Sequence, residues 1–106
     1  MKSAKKKRLE AAGWRVGDAT EFVGLDAAEL ALIEMREALG RRVRELRTAA
    51  GLTQTGLAER MGSSQSRVAK IEAGHPSVSL ELTVRALLAL GADRSEVGAC
   101  ISTSAA

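Results

Sequence analysis

The fold is decided by residues 52–74, which read LTQTGLAERMGSSQSRVAKIEAG. Thr53 and Ser64 are residue types that favour the N-cap of a helix, and Gly62 and Gly74 lie where helices commonly end. Between these signals the apolar residues follow helical spacing; they are Leu57, Ala58, Met61, Val68 and Ile71. The stretch therefore predicts two short helices joined by a turn at Gly62.

The helical pattern continues upstream of this stretch. Apolar residues three and four apart form one stripe of a long helix, and they are Leu32, Met35, Leu39, Val43, Leu46 and Ala50. We expect this helix to open at a capping box beginning with Asp26 and to end at Gly51. Gly40 lies inside the run and can mark a break between two helices. Further upstream, residues 2–12 and a segment capped by Asp18 are predicted to be short helices.

Two more helices are predicted downstream. Ser79 can cap a helix that continues to Leu90, with an apolar face made of Val84, Leu87 and Leu88. Asp93 then begins a capping box for a last short helix through Ile101. The prediction is an all-α fold, divided into an extension of residues 1–25, a domain of residues 26–101 and a frayed tail of residues 102–106.

Composition excludes several classes of protein. The chain has 106 residues, is 45% hydrophobic, and carries only two aromatic residues, Trp14 and Phe22, so the core must be aliphatic. With one cysteine, Cys100, and one histidine, His75, we expect no disulfide, metal site, cofactor or nucleophile–base pair, and hence no enzyme. No apolar stretch approaches the length of a membrane span or a signal-peptide core, so we expect a cytoplasmic protein without a membrane partner.

Charge is distributed in blocks along the chain. Residues 1–15 hold six bases and one acid, residues 16–35 hold five acids and no base, and residues 36–76 hold eight bases and four acids. Blocks of opposite sign suggest two differently charged partners, although solvated helix faces would produce the same pattern.

The two short helices predict a helix-turn-helix, whose second helix can enter the major groove of DNA. With Val68 and Ile71 inward, a rotation of about 100° per residue places other side chains outward, namely Gln65, Ser66, Ala69 and Lys70. The Gln65 amide suits adenine, the Ser66 hydroxyl suits any base, the Ala69 methyl suits thymine, and Lys70 suits guanine or phosphate. Phosphate contacts are expected from Ser64 and Arg67 and, unless they merely solubilise the surface, from Arg41, Arg42 and Arg44.

Residues 36–91 resemble the helix-turn-helix domain of the phage Cro and cI repressors and the wider XRE family. The matching residues are Leu52-Thr53-Gln54, Leu57-Ala58, Gly62 to Ser66, Val68, Ile71-Glu72 and Gly74. The resemblance implies a five-helix, lambda-repressor-like domain that binds a double-stranded operator with palindromic half-sites as a homodimer. It also implies a phosphate contact at Gln54 and a largely buried salt bridge between Arg47 and Glu72. Gly56 and Ala73 depart from the family pattern, which often has Glu and Asn there.

The amino-terminal third is similar in layout to small antitoxins of the HigA kind, which neutralise a ribonuclease toxin and repress their own operon. The similarity implies a cognate toxin as a second partner, with Trp14 and Phe22 in its binding surface. The same two residues can instead simply pack against the long helix. Two alternatives therefore stay open, namely a stand-alone XRE-type regulator and a toxin-inhibiting module with weak DNA binding.

Overall fold

The computed structural model describes residues 23–102, with side chains from residue 26 onward. In this range the chain forms five helices and no strand: α1 (Val23–Ala49), α2 (Gln54–Met61), α3 (Gln65–Glu72), α4 (Leu80–Ala89) and α5 (Arg94–Ser102). The all-α prediction is confirmed for these residues. The helices predicted before residue 23, together with Trp14 and Phe22, lie outside them. The described residues fall into two compact units that divide between Leu32 and Ile33.

The short helices begin at side chains that cap their first backbone N–H groups. The oxygens of four residues accept these bonds at 2.9–3.2 Å, and the residues are Thr53, Ser64, Ser79 and Asp93. Gly62 ends α2 in the left-handed region, at φ +65°, which costs a glycine little. These caps and stops depend on neighbouring residues alone, which explains why the sequence pattern predicts the bounds of α2–α5 closely.

The core of the second unit draws on α1–α4. Its largest fully buried side chains are Leu39, Val43, Leu57, Val68, Ile71 and Leu87. Helix α2 packs against both α3 and α4, so the helix-turn-helix is joined to the rest of the unit through this core. Within the described range, no aromatic side chain contributes to it.

Helix α1 differs from its prediction in two ways. It begins at Val23, and Asp26 lies buried in its first turn, so the predicted opening at Asp26 is wrong by one turn. It also runs without interruption through Gly40. A Cβ at residue 40 would lie 2.5 Å from the carbonyl oxygen of Ile71 and 3.0 Å from that of Glu72. Gly40 therefore allows the backbones of α1 and α3 to approach closely and does not break α1.

Two predicted apolar positions are exposed. Ala50 lies just beyond α1 and faces solvent, and Leu88 on α4 is 51% exposed. The buried face of α4 instead contains Thr83, Ala86 and Leu87. A count of large apolar residues missed this face because Ala86 is small and Thr83 carries a hydroxyl. The Thr83 Oγ1 can be buried because it donates a hydrogen bond to the Ser79 carbonyl oxygen at 3.2 Å. No helix in the described range is long and apolar enough to cross a membrane.

Candidate nucleic-acid interface

Helices α2 and α3 form a helix-turn-helix whose inner side is closed. Leu57 and Ala58 of α2 and Val68 and Ile71 of α3 are all buried in the shared core. Because both apolar anchors of α3 point inward, the remaining face of this helix must point outward. The unit thus presents α3 as a fixed, solvent-facing helix.

The outward face of α3 is polar and basic. Four of its side chains are exposed, namely Gln65, Ser66, Arg67 and Lys70, whereas Ala69 is half-buried. The one acid in α3, Glu72, lies at the other end of the helix with its side chain only 5% exposed. The exposed face therefore combines amide and hydroxyl groups with two positive charges and no free carboxylate.

A polar concavity of about 460 Å³ borders this face. Its polar lining comes from the start and outer side of α3 and from the loop before α4, and consists of Ser64, Ser66, Arg67, Lys70, Ser77 and Ser79. The hydroxyl of Ser64 also accepts from the Arg67 backbone N–H at 3.2 Å, which holds the start of α3. Four hydroxyls and two cations around one opening make a site suited to anionic oxygen atoms.

The loop that contributes Ser77 and Ser79 was not part of the sequence-based site. The Nδ1 atom of His75 accepts from the Ser77 backbone N–H at 3.0 Å and lies 2.7 Å from the Ser77 Oγ. The histidine thus orders this loop. In the sequence analysis Ser79 was predicted only to be an N-cap. The signal that could have indicated the site is the presence of two serines, Ser77 and Ser79, after the helix-stopping Pro76.

An ion pair at the inner end of α3 ties it to α1. Arg47 donates its Nε to Oε2 of Glu72 and its Nη2 to Oε1 at 3.1 Å, so the contact is bidentate. Its Nη1 donates to the carbonyl oxygen of Leu52 at 2.8 Å. The hydrogen bond with Glu72 raises the pKa of Arg47 above its ordinary value, and the two side chains are 12% and 5% exposed. This nearly buried pair joins α1, the start of the helix-turn-helix and the end of α3.

Gln54 lies between this ion pair and the outer face. It is half-buried at the start of α2, where its Nε2 donates to Oε1 of Glu72 at 3.1 Å. Its Oε1 accepts from the Nε2 of Gln65 at 2.7 Å. The structure therefore brings together four of the residues singled out in the sequence, namely Arg47, Glu72, Gln54 and Gln65.

The three arginines of α1 that were predicted to contact phosphates do not share one environment. Arg41 and Arg44 are exposed. Arg42 is held by Glu45 at 3.1 Å and by Glu96 of α5 at 3.0 Å, and these hydrogen bonds, that of Glu45 first, raise its pKa. Arg42 thus links α1 to α5, and its charge is balanced within the protein.

The described residues contain no cluster of three or more side chains able to hold a metal ion. Cys100 is partly buried on α5, and burial raises the pKa of its thiol.

A family model described as a helix-turn-helix domain matches residues 38–99, which include all of α2, α3 and α4. No curated protein and no solved structure was found to match the chain. The match spans more than half of the chain and coincides with the unit that presents the polar face of α3. The protein therefore belongs to the family of helix-turn-helix DNA-binding domains.

Proposed function

We propose that the protein is a sequence-specific transcriptional repressor that binds a palindromic operator as a homodimer, with α3 in the major groove. The observation that carries the proposal is the exposed face of α3, on which the side chains of Gln65, Ser66 and Lys70 all face solvent. Such side chains match the hydrogen-bonding edges of bases, and a fixed outward helix has the dimensions of the groove. Two copies would read half-sites about 34–36 Å apart.

The groups around α3 suit the phosphates on either side of that groove. Arg67, Lys70 and the serine hydroxyls of the concavity provide cations and donors next to the base-reading face. Arg41 and Arg44 add exposed charge on α1, whereas Arg42 is left out because two glutamates already engage it. Gln54 keeps its proposed phosphate contact, because it lies at the start of α2, where backbone N–H groups favour an anion.

A pair of substitutions tests the proposal with the operator obtained by selection from random duplexes. Gln65→Ala should weaken binding by about 1–3 kcal/mol per half-site and relax the preference at one base pair only. Arg41→Ala, the control, should weaken binding to specific and random DNA alike. The slope of the log binding constant against log salt concentration should become shallower by about one unit for each phosphate that is no longer neutralised. Equal weakening of all sequences by Gln65→Ala would contradict base reading by α3.

We further propose that the protein is an antitoxin that neutralises a small ribonuclease toxin. This proposal is carried by residues 16–35, which hold five acids and no base, although one of the five, Asp26, is buried in α1. Ribonucleases that bind RNA carry positive charge, so an acidic segment is suited to meet one. In this division of labour, Trp14 and Phe22 would add apolar contacts to the toxin while α3 binds DNA. A stand-alone regulator would possess only the second activity.

A further inference from the structure

The loop between α3 and α4 brings a serine to the polar concavity without using it as a cap. Of the four serines that line this opening, Ser64 and Ser79 cap α3 and α4, since their oxygens accept from backbone N–H groups at 3.2 and 3.1 Å. Ser66 lies within α3. Ser77 is exposed and lies outside the helices and their caps. It is therefore the serine of this site that a modifying enzyme can reach in a loop.

His75 holds Ser77 by its backbone as well as by its side chain. The Ser77 N–H donates to Nδ1 of His75 at 3.0 Å, so Nδ1 carries no proton of its own. The Ser77 hydroxyl, which lies 2.7 Å from the same nitrogen, must then be the donor in that contact. Replacing the hydroxyl proton by another group removes this second bond only. The backbone bond would keep residue 77 at the concavity after a modification.

The charge of the concavity is suited to a phosphoserine. Two cations, Arg67 and Lys70, line the opening together with Ser77, and among the described residues that line it none is acidic. A phosphoserine carries a charge of about −1.5 to −2 at pH 7 and three strong acceptor oxygens. Opposite cations it forms short, charge-assisted hydrogen bonds. The opening, about 460 Å³ in volume, has room for such a group on its own serine.

We propose that Ser77 is a phosphorylation site and that its phosphate, held by Arg67 and Lys70, releases the protein from DNA. The phosphoryl donor is a nucleoside triphosphate bound to a protein serine kinase. The Ser77 Oγ forms a bond to the γ-phosphorus, the bond from that phosphorus to its bridging oxygen breaks, and a nucleoside diphosphate leaves. The hydroxyl proton passes to a base of the kinase.

The inference rests on the proposed function, in which Arg67 and Lys70 face DNA phosphates. A phosphoserine at residue 77 would neutralise both cations within the protein. The operator would then lose two phosphate contacts for each copy of the chain and would meet an added negative charge in their place.

The test uses the full chain with phosphoserine incorporated at residue 77 during translation. Operator affinity should fall at least about tenfold, and the slope of the log binding constant against log salt concentration should become shallower by about two units per copy. Random duplexes should be affected alike, since phosphate contacts carry no sequence information. Phosphoserine at residue 102, an exposed position on α5 outside the concavity, is the matched control and should change affinity by less than about twofold.

A second measurement follows the phosphate itself, without DNA. Phosphorus NMR reports the second ionisation of a phosphoserine, whose pKa is ordinarily about 6. Contact with two cations favours the doubly charged form, so this pKa should be lower at residue 77 than at residue 102. In a chain that carries Arg67→Gln and Lys70→Gln the difference should disappear. In that chain phosphoserine at residue 77 should also weaken DNA binding little further.

Mass spectrometry of the protein recovered from its own cells at several growth phases tests the modification in the cell. Trypsin cleaves after Lys70 and Arg85, so Ser77 lies on the peptide of residues 71–85. Fragmentation of this peptide should place one added phosphoryl group on Ser77 and not on another hydroxyl. Absence of that group at every growth phase would overturn the assignment of a modification site.

The outcomes separate this inference from the proposed function. If phosphoserine at residue 77 weakens DNA binding no more than phosphoserine at residue 102, the inference is overturned, while Gln65→Ala tests base reading independently. If binding weakens but the pKa of the phosphoserine is not lowered, or the melting transition is lost, the phosphate disrupts the loop and its capture by the two cations is overturned. Lack of any sequence preference in the unmodified chain would overturn the proposed function, and the release from DNA with it.

Discussion

At the scale of single residues, two glycines within helices have opposite roles. Gly56 is the third residue of α2, and its backbone N–H donates to the Thr53 Oγ1 at 2.9 Å. Glycine has no side chain that could accept a hydrogen bond from the Thr53 backbone N–H in return. A Cβ there would lie 3.3 Å from the end of the Leu52 side chain, which can move. At Gly40, in contrast, a Cβ would meet backbone carbonyl oxygens, which cannot move aside.

Replacing Gly56 should therefore stabilise the protein. Gly56→Ala should raise the free energy of unfolding by about 0.5–1 kcal/mol, because glycine is the poorer helix former. Gly56→Glu should add about another 0.5 kcal/mol by completing the capping box and by placing a negative charge at the helix start. Urea unfolding measures both, and Gly56→Gln separates the bond from the charge. Lower stability of Gly56→Glu than of Gly56→Ala would show that the box does not form.

The same alanine substitution at Gly40 should have the opposite sign. Helix propensity alone would favour Gly40→Ala by about 1 kcal/mol. The added methyl group would meet the Ile71 carbonyl oxygen at 2.5 Å, so α1 and α3 must separate, and overpacking of this kind typically costs about 1–3 kcal/mol. We expect a net decrease in the urea midpoint relative to the natural chain. A gain would mean that the close approach of the two helices is not required.

At the scale of elements, α3 is attached to α1 by more than apolar packing. Beside Gly40, a second glycine, Gly74, has a φ of +68° and brings the chain after α3 close to α1, where a Cβ would lie 3.2 Å from the backbone of Glu37. The Arg47–Glu72 ion pair closes the same junction. The orientation of α3 is therefore determined by its inner end, while its outer end carries the proposed DNA contacts.

A double-mutant cycle on this ion pair should show strong coupling. Arg47→Ala and Glu72→Ala should each lose about 3–5 kcal/mol, because each leaves the other charge desolvated and unpaired. The double variant should lose much less than the sum of the two. The more exposed Arg42–Glu96 pair provides the control cycle, in which solvent screens the charges and little coupling is expected. Additive losses at Arg47 and Glu72 would mean that the pair does not act as a unit.

At the scale of the whole molecule, the two proposed activities occupy different parts of the chain. Every residue of the buried core cluster described above lies at or beyond Leu39, and the proposed DNA contacts lie between Arg41 and Ser79. The acidic segment of residues 16–35 precedes them. The activities should therefore be separable by changes at the two ends.

Deletion of residues 1–22, just before α1, should leave operator affinity and the circular-dichroism melting transition largely unchanged. It should abolish neutralisation of the product of the neighbouring reading frame, measured as growth on co-expression. Gln65→Ala in the full chain is the matched variant, since it should lose operator preference but keep neutralisation. Full protection by the shortened protein would return Trp14 and Phe22 to a packing role and contradict a toxin surface within residues 1–22.

The sequence alone predicted the features that depend on near neighbours. The caps at Thr53, Ser64 and Ser79 and the stop at Gly62 are local, because a cap bonds to N–H groups two or three residues away. The outward side of α3 followed from its two apolar anchors and the helical repeat. These signals were sufficient for the bounds of four of the five helices and for the exposed side chains of α3, but they missed Ser77 and Ser79 of the concavity.

The tertiary structure decided what depends on residues distant in sequence. The Arg47–Glu72 pair was expected only by resemblance to a family, and the bond from Gln54 to Glu72 spans 18 positions. The engagement of Arg42 by Glu96 spans 54 positions, and the exposure of Leu88 depends on which face of α4 meets the core. Periodicity shows that a helix has an apolar side, but only packing selects the partner of that side. For the same reason Gly40, which local propensity marks as a weak point in α1, is the position where α3 comes closest.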